Sequence, residues 1–157
     1  MAELTELEEK LAEVMGLAQA AQGLTKKVSG MVEDKEIAGL LEQMHAEAAE
    51  TEQRCTQLAE EREGKKTALA EKARETKKEA EAMQKEYLGD DADALDGLEF
   101  MIMAEAGELG HVEIVGAMSE KQGEQQVREL AEWARPIQER HFEQTRQAAL
   151  QLATQQA

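Results

Sequence analysis

The stretch GKKTALAEKARETKKEAEAMQKEYL, residues 64–88, decides the fold of this chain. It is dense in Lys and Glu and carries only a thin apolar stripe of Leu69, Ala73, Ala80 and Met83. That pattern predicts a helix lying on a surface, not one inside a core. At roughly 1.5 Å per residue, a helix of this length can run from one end of a helical bundle to the other. What it connects therefore sets the topology.

On its N-terminal side the periodicity predicts two helices. The first runs from about Glu3 to Gln22, with Leu4, Leu7, Leu11, Val14 and Ala18 on one stripe, and Gly23 and Gly30 punctuate the turn after it. The second starts after Asp34, an expected N-cap, and carries Ile37, Leu41, Met44, Ala48, Cys55 and Leu58 to about Arg62. On its C-terminal side LGDDADALDG breaks the chain. A third core helix is expected from about Ala92 to Met118, with Leu95, Leu98, Ile102, Leu109 and Val112 inward. Ser119 and Gln122 have capping-box spacing and are expected to open the last helix, which runs to about Leu152. Its inward residues are Val127, Leu130, Ala134, Ile137, Ala148 and Leu152, and Pro136 inside it is expected to kink it.

Two short connections make two antiparallel hairpins, and the long middle helix joins them. The expectation is an all-α, up-down-down-up four-helix bundle with a fifth, crossover helix at about 64–88, forming a single domain over residues 1–157. Composition agrees, since there is one proline and only 3% aromatic residues, while good helix formers dominate.

The chain carries 34 Asp plus Glu against 18 Lys plus Arg, a net charge of -16. Such a surface repels phosphate backbones and anionic headgroups, so neither nucleic acid nor membrane is an expected partner, and cations are better ones. Acidity of this kind is also an ordinary solvated helix surface. The N-terminus lacks the basic start and apolar run of a signal peptide, and no apolar run reaches the roughly 20 residues that span a bilayer. With a single cysteine, Cys55, the expected location is cytoplasmic.

Advancing roughly 100° per residue shows which polar residues share the apolar stripes. EQMH, residues 42–45, has Glu-x-x-His metal-ligand spacing, yet Glu42 falls off the stripe, whereas His45 and Glu52 lie at its edge. In the third core helix Glu105 is central, between Ile102 and Leu109, and Glu108 flanks it. His111 completes a second Glu-x-x-His but projects outward, toward solvent or a second subunit. In the last helix His141 is central, with Gln138 close beside it and Glu139 pointing out. Taking hairpin turns near Ser29 and Lys121, His45 comes level with Glu13 and Glu105 with Ile137 and Gln138, so that His45, Glu105 and His141 are expected at one depth. A buried carboxylate there needs a partner or a metal.

Two readings follow. In one, Glu105 and His141, with His45, Glu108, Glu52 and Glu8, hold iron or another divalent metal. In the other, Glu105 and His141 form a buried polar pair that fixes helix register in a metal-free scaffold or partner-binding protein. Glu8 also has capping-box spacing with Thr5. Neither a nucleophile, base and orienter arrangement nor a glycine-rich phosphate loop is present in the pattern.

ETEQRCTQL (50–58), GKK (64–66) and HVEI (111–114), in this order, resemble the ferritin-like superfamily, in particular its small bacterial stress-response proteins with a helical crossover. The resemblance implies a four-helix bundle, homodimeric, with a di-iron centre and a stress-related role. A full centre of that kind draws Glu from two helices and Glu-x-x-His from the other two. This chain offers Gln138-x-x-His141, an outward Glu42 and only Glu8 in its first helix, a set that falls short of a ferroxidase-type centre and suits a single metal site better.

Overall fold

The computed structural model describes residues 2–157, and among these it is all α-helical, without strands. The helices are α1 (Glu6–Ser29), α2 (Lys35–Glu61), α3 (Lys66–Tyr87), α4 (Ala94–Gln122) and α5 (Gln125–Gln156).

Their ends are set by local chemistry. Thr5 and Glu8 form the capping box at the start of α1: the Glu8 backbone N–H donates to Thr5 Oγ1 at 3.2 Å and the Thr5 N–H to Glu8 Oε1 at 2.9 Å. Asp34 caps α2, accepting from the backbone of Glu36 and Ile37. Asp93 and Asp96 form a second capping box, at the start of α4.

Two boundaries differ from expectation. Helix α1 continues through Gly23 to Ser29, because Leu24, Thr25 and Val28 are all buried and hold the extra turns down. Likewise α4 runs past Ser119, whose hydroxyl donates to the Gly116 carbonyl within the helix. The reversal falls at Gly123, whose φ of 70° is left-handed and ends the helix as glycine readily does. Helix α5 extends through Pro136, which lies on its exposed side.

α1 is the central strut, packed on α2, α3 and α4; α5 lies along α4 and more lightly along α2. One apolar cluster joins Leu7, Leu11 and Met15 of α1 to Cys55, Val112, Val115 and Val127. A second joins Leu24 and Val28 to Ile37, Leu41, Leu98, Met101 and Ala148. Leu69, the anchor of α3, packs on Ala12 and Ala59. α3 also sits close against α1 at Gly16, where an added Cβ would lie 2.3 Å from the Ala73 carbonyl oxygen. No described helix is long and apolar enough to cross a membrane.

Candidate functional site

A polar layer separates the two apolar clusters. It is built from Glu47 and Thr51 of α2, Glu105 and Glu108 of α4, and Gln138, Arg140, His141 and Thr145 of α5. Glu105 is only 1% exposed, and Glu108, His141 and Thr145 are also buried. Full desolvation of two carboxyls three residues apart on one helix face is expensive. The surrounding bonds show how it is managed.

His141 is the hub. Its Nε2 is 2.9 Å from Glu47 Oε1, and Glu47 is held in turn by two hydrogen bonds from Arg140, at 2.9 and 2.6 Å. The Arg140 hydrogen bonds hold the Glu47 carboxyl below the usual carboxylate range against the opposing effect of burial, and the His141 bond adds to them. An ionised Glu47 can only accept, so the ring proton sits on Nε2. Nδ1 is thereby directed toward Glu105, whose Oε2 is 3.8 Å away, beyond hydrogen-bond length.

On α4, burial pushes both carboxyls up: Glu105 is raised by burial, partly offset by a hydrogen bond from Glu108 and by His141, and Glu108 is raised further by burial and by the adjacent Glu105. Burial and the adjacent Glu105 thus favour the uncharged form of Glu108. Glu105 Oε2 has no hydrogen-bond partner and, with Gln144 Oε1, is one of two such buried side-chain atoms among the described residues.

The other residues singled out by sequence lie elsewhere. His45 Nδ1 donates to the Gln22 carbonyl at 2.9 Å, near Thr25, on the α1 side of α2. It is not level with Glu13, because the longer α1 moves the hairpin turn several residues along the chain. Glu52 accepts from Gln19 and Gln22 at 3.0 and 2.8 Å on that same side. Glu8 is at the end of the bundle, bonded to Arg62 and Lys65 at 3.0 and 2.8 Å as well as to Thr5. Glu42 is exposed. His111 is partly exposed, with Nδ1 donating to the Gly107 carbonyl and Nε2 3.4 Å from Glu13. So Glu105 lies beside both Glu108 and His141, and His45, Glu52 and Glu8 do not join them.

Glu47 and Arg140 were missed by sequence reading. Glu47 follows Met44 by three residues and precedes Thr51 by four, a helix-edge position beside the buried stripe, and that spacing was the available signal. Among the described residues no group of three or more His, Cys, Asp or Glu side chains is already gathered to hold a metal ion. The chain matches no family model, no curated protein and no solved structure.

Proposed function

We propose that this chain is a ferritin-like bundle that binds one divalent metal ion, iron or an ion of similar preference, at mid-bundle on Glu105, Glu108 and His141. The neighbour relations support the ferritin-like part. The first half of α1 meets the second halves of α2 and α4 and the first half of α5, and the other cluster joins the opposite halves, as an up-down-down-up order requires. α3, laid along α1, serves as the crossover.

The unpartnered Oε2 of Glu105 is the observation behind the metal. A buried carboxylate oxygen without a donor calls for a cation or a proton. Two atoms bound to one ion at roughly 2.1 Å each lie roughly 3 to 3.5 Å apart, so Glu105 Oε2 and His141 Nδ1 need only a small side-chain adjustment to share one. Glu108 becomes a third ligand on giving up its proton. Glu47 fits an outer role: a metal-bound histidine characteristically donates its other ring N–H to a carboxylate, which fixes the tautomer and the ring plane. Arg140 keeps that carboxylate ionised and in place. When bound, the ion would supply a Lewis acid or a redox centre within a desolvated layer.

The donor set suits one ion, not two. At this depth α1 presents Ala18, Ala20 and Ala21, all small and buried, so the proposed ligands come from α4 and α5 and none from α1. A ferroxidase-type pair of ions is therefore not part of the proposal.

A second reading has its own support: Arg140 already neutralises Glu47, and burial beside Glu105 favours the uncharged form of Glu108. Under it the layer is a metal-free polar network that fixes register, as a scaffold would need. Metal analysis of protein purified without chelators, followed by iron(II) titration read by absorbance and melting temperature, separates the two. Stoichiometric metal that is lost in Glu105→Gln and in Glu108→Gln supports the ion. Absence of metal together with no response to iron(II), manganese(II) or zinc(II) leaves the register network.

A further inference from the structure

On α4 the outer face is nearly free of charge. Between Glu99 and Glu120 its exposed residues are Met103, Ala106, Gly107, Glu113, Ile114 and Ala117, a single charge over about five turns in a chain that is 33% charged. α1 and α5 pack on the other sides of this helix. Among the described residues five large apolar side chains are exposed; Met103 (50%) and Ile114 (46%) stand on this face, and Met83 (62%) and Tyr87 (48%) of α3 border it at the Met103 end. Single scattered apolar residues need no cover, whereas a contiguous face of this kind marks an interaction surface.

The face is also symmetric about its middle. At roughly 100° per residue, Gly107, Gly110, Ile114 and Ala117 all lie within about 40° of Met103, on one straight stripe. Its bare centre is Gly107 and Gly110, where an added Cβ would meet nothing within 4 Å. Met103 and Ile114 stand equally far on either side of that centre, and so, further out, do Asp96 at one end and the exposed Lys121 at the other. Turned end for end, the stripe sets apolar against apolar, bare backbone against bare backbone, and acid against base.

We infer that α4 packs antiparallel on α4 of a second copy of this chain, about a two-fold axis between Gly107 and Gly110. Each Met103 then lies level with Ile114 of the other copy, and each Asp96 with Lys121 of the other copy. Glu113 comes level with Ala104 and His111 with Ala106, while Glu120 turns aside toward Arg128 of its own α5, so no carboxylate on the stripe is level with another. At a net charge of -16 two copies repel over most of their surface, and along this stripe the repulsion is least and the end charges attract. The end-for-end order is what an isologous contact requires and an unrelated partner does not. From Asp96 to Lys121 the stripe runs roughly 38 Å and, with the α3 flank, is about 20 Å wide, which is on the order of the 800 Å² that a specific dimer covers on each partner.

The pairing needs no metal, so it is tested on the chelator-treated full chain by analytical ultracentrifugation. The native chain should sediment as a dimer. Met103→Glu/Ile114→Glu, which sets carboxylates level with one another in place of apolar contact, should weaken dimerisation at least about a hundredfold and, because both side chains are exposed, leave the circular dichroism of the helices unchanged. Register is read by cross-linking. Under mild oxidation Met103→Cys/Ile114→Cys should form a covalent dimer, whereas either single substitution should not, because like positions on the two copies are roughly 16 Å apart along the helix axis. Cys55 is buried and does not compete. A native chain that stays monomeric up to about 1 mM, a dimer untouched by the double Glu substitution, or cross-linking of either single variant as readily as the double one would each overturn the pairing.

Discussion

His141 Nδ1 stands 3.8 Å from Glu105 Oε2, close enough to interact and too far to hydrogen bond. On its other side the same ring is fixed by Glu47 at 2.9 Å. A ring held firmly on one nitrogen and loosely on the other presents a directed, unfilled position between α4 and α5.

Replacing Glu105 and Glu108 together by Leu tests what that position is worth. In metal-free protein the double variant should be more stable by about 1–3 kcal/mol in urea unfolding, because two desolvated carboxyls and an unpartnered oxygen are exchanged for apolar contact. With metal present the native chain should gain stability that the variant does not. Equal stability of both proteins with and without metal would sink the metal proposal.

Glu8 makes the fold sensitive to acid. Burial pushes its carboxyl up, but the hydrogen bonds from Lys65, the Thr5 backbone and Arg62 outweigh burial and hold it down at about 2. A depressed carboxylate contributes stability that is fully present above its unfolded value, near 4.5, and is lost as pH falls from there through about 2. Glu8→Gln should cost on the order of 2 kcal/mol at pH 7, and the difference in melting temperature from the native chain should close between those two pH values. A difference independent of pH would show that the loss is one of packing.

Two glycines should respond oppositely to the same substitution. At Gly16 a Cβ would sit 2.3 Å from the Ala73 carbonyl oxygen and 2.8 Å from Thr76 Cβ, so Gly16→Ala must push α3 off α1 and should destabilise by about 1–3 kcal/mol. At Gly107 nothing lies within 4 Å, and Gly107→Ala should stabilise by roughly 0.5–1 kcal/mol through helix propensity. Thermal unfolding of the pair checks both.

Cys55 should be inert in the folded protein. It is 1% exposed, and burial, with some help from the charge of Glu52, pushes its thiol up to about 12. Labelling by a thiol-disulfide reagent at pH 8 should proceed only as fast as the chain opens and should become immediate in denaturant. Rapid labelling of the native state would show that the α2 end of the core opens readily.

The helices were legible because each alternates apolar and polar residues with helical period, and α1, α2 and α4 begin on a capping side chain. Asp34 and the Thr5/Glu8 box were both readable in this way. The ends at Ser29 and Gln122 were not. Gly23 and Ser119 look like punctuation locally, and the burial of Leu24, Val28 and Ser119 against other helices overrides them. That same override displaced the first hairpin turn, which is why His45 meets Gln22 and Thr25 in place of the level assigned to it.

The amino-acid pattern by itself determined that the chain is helical, strongly acidic, and carries Glu105 and His141 on inward faces. Those are properties of single helices, set by a period of 3.6 residues and by charge. Only the tertiary structure decided that Glu108 is buried with them, that Glu47 and Arg140 complete the layer, and that His45, Glu52 and Glu8 stand apart. Depth and rotation between packed helices depend on how far each helix extends and on which side chains interlock. A helix longer by two turns moves every residue opposite it while leaving its own stripe unchanged.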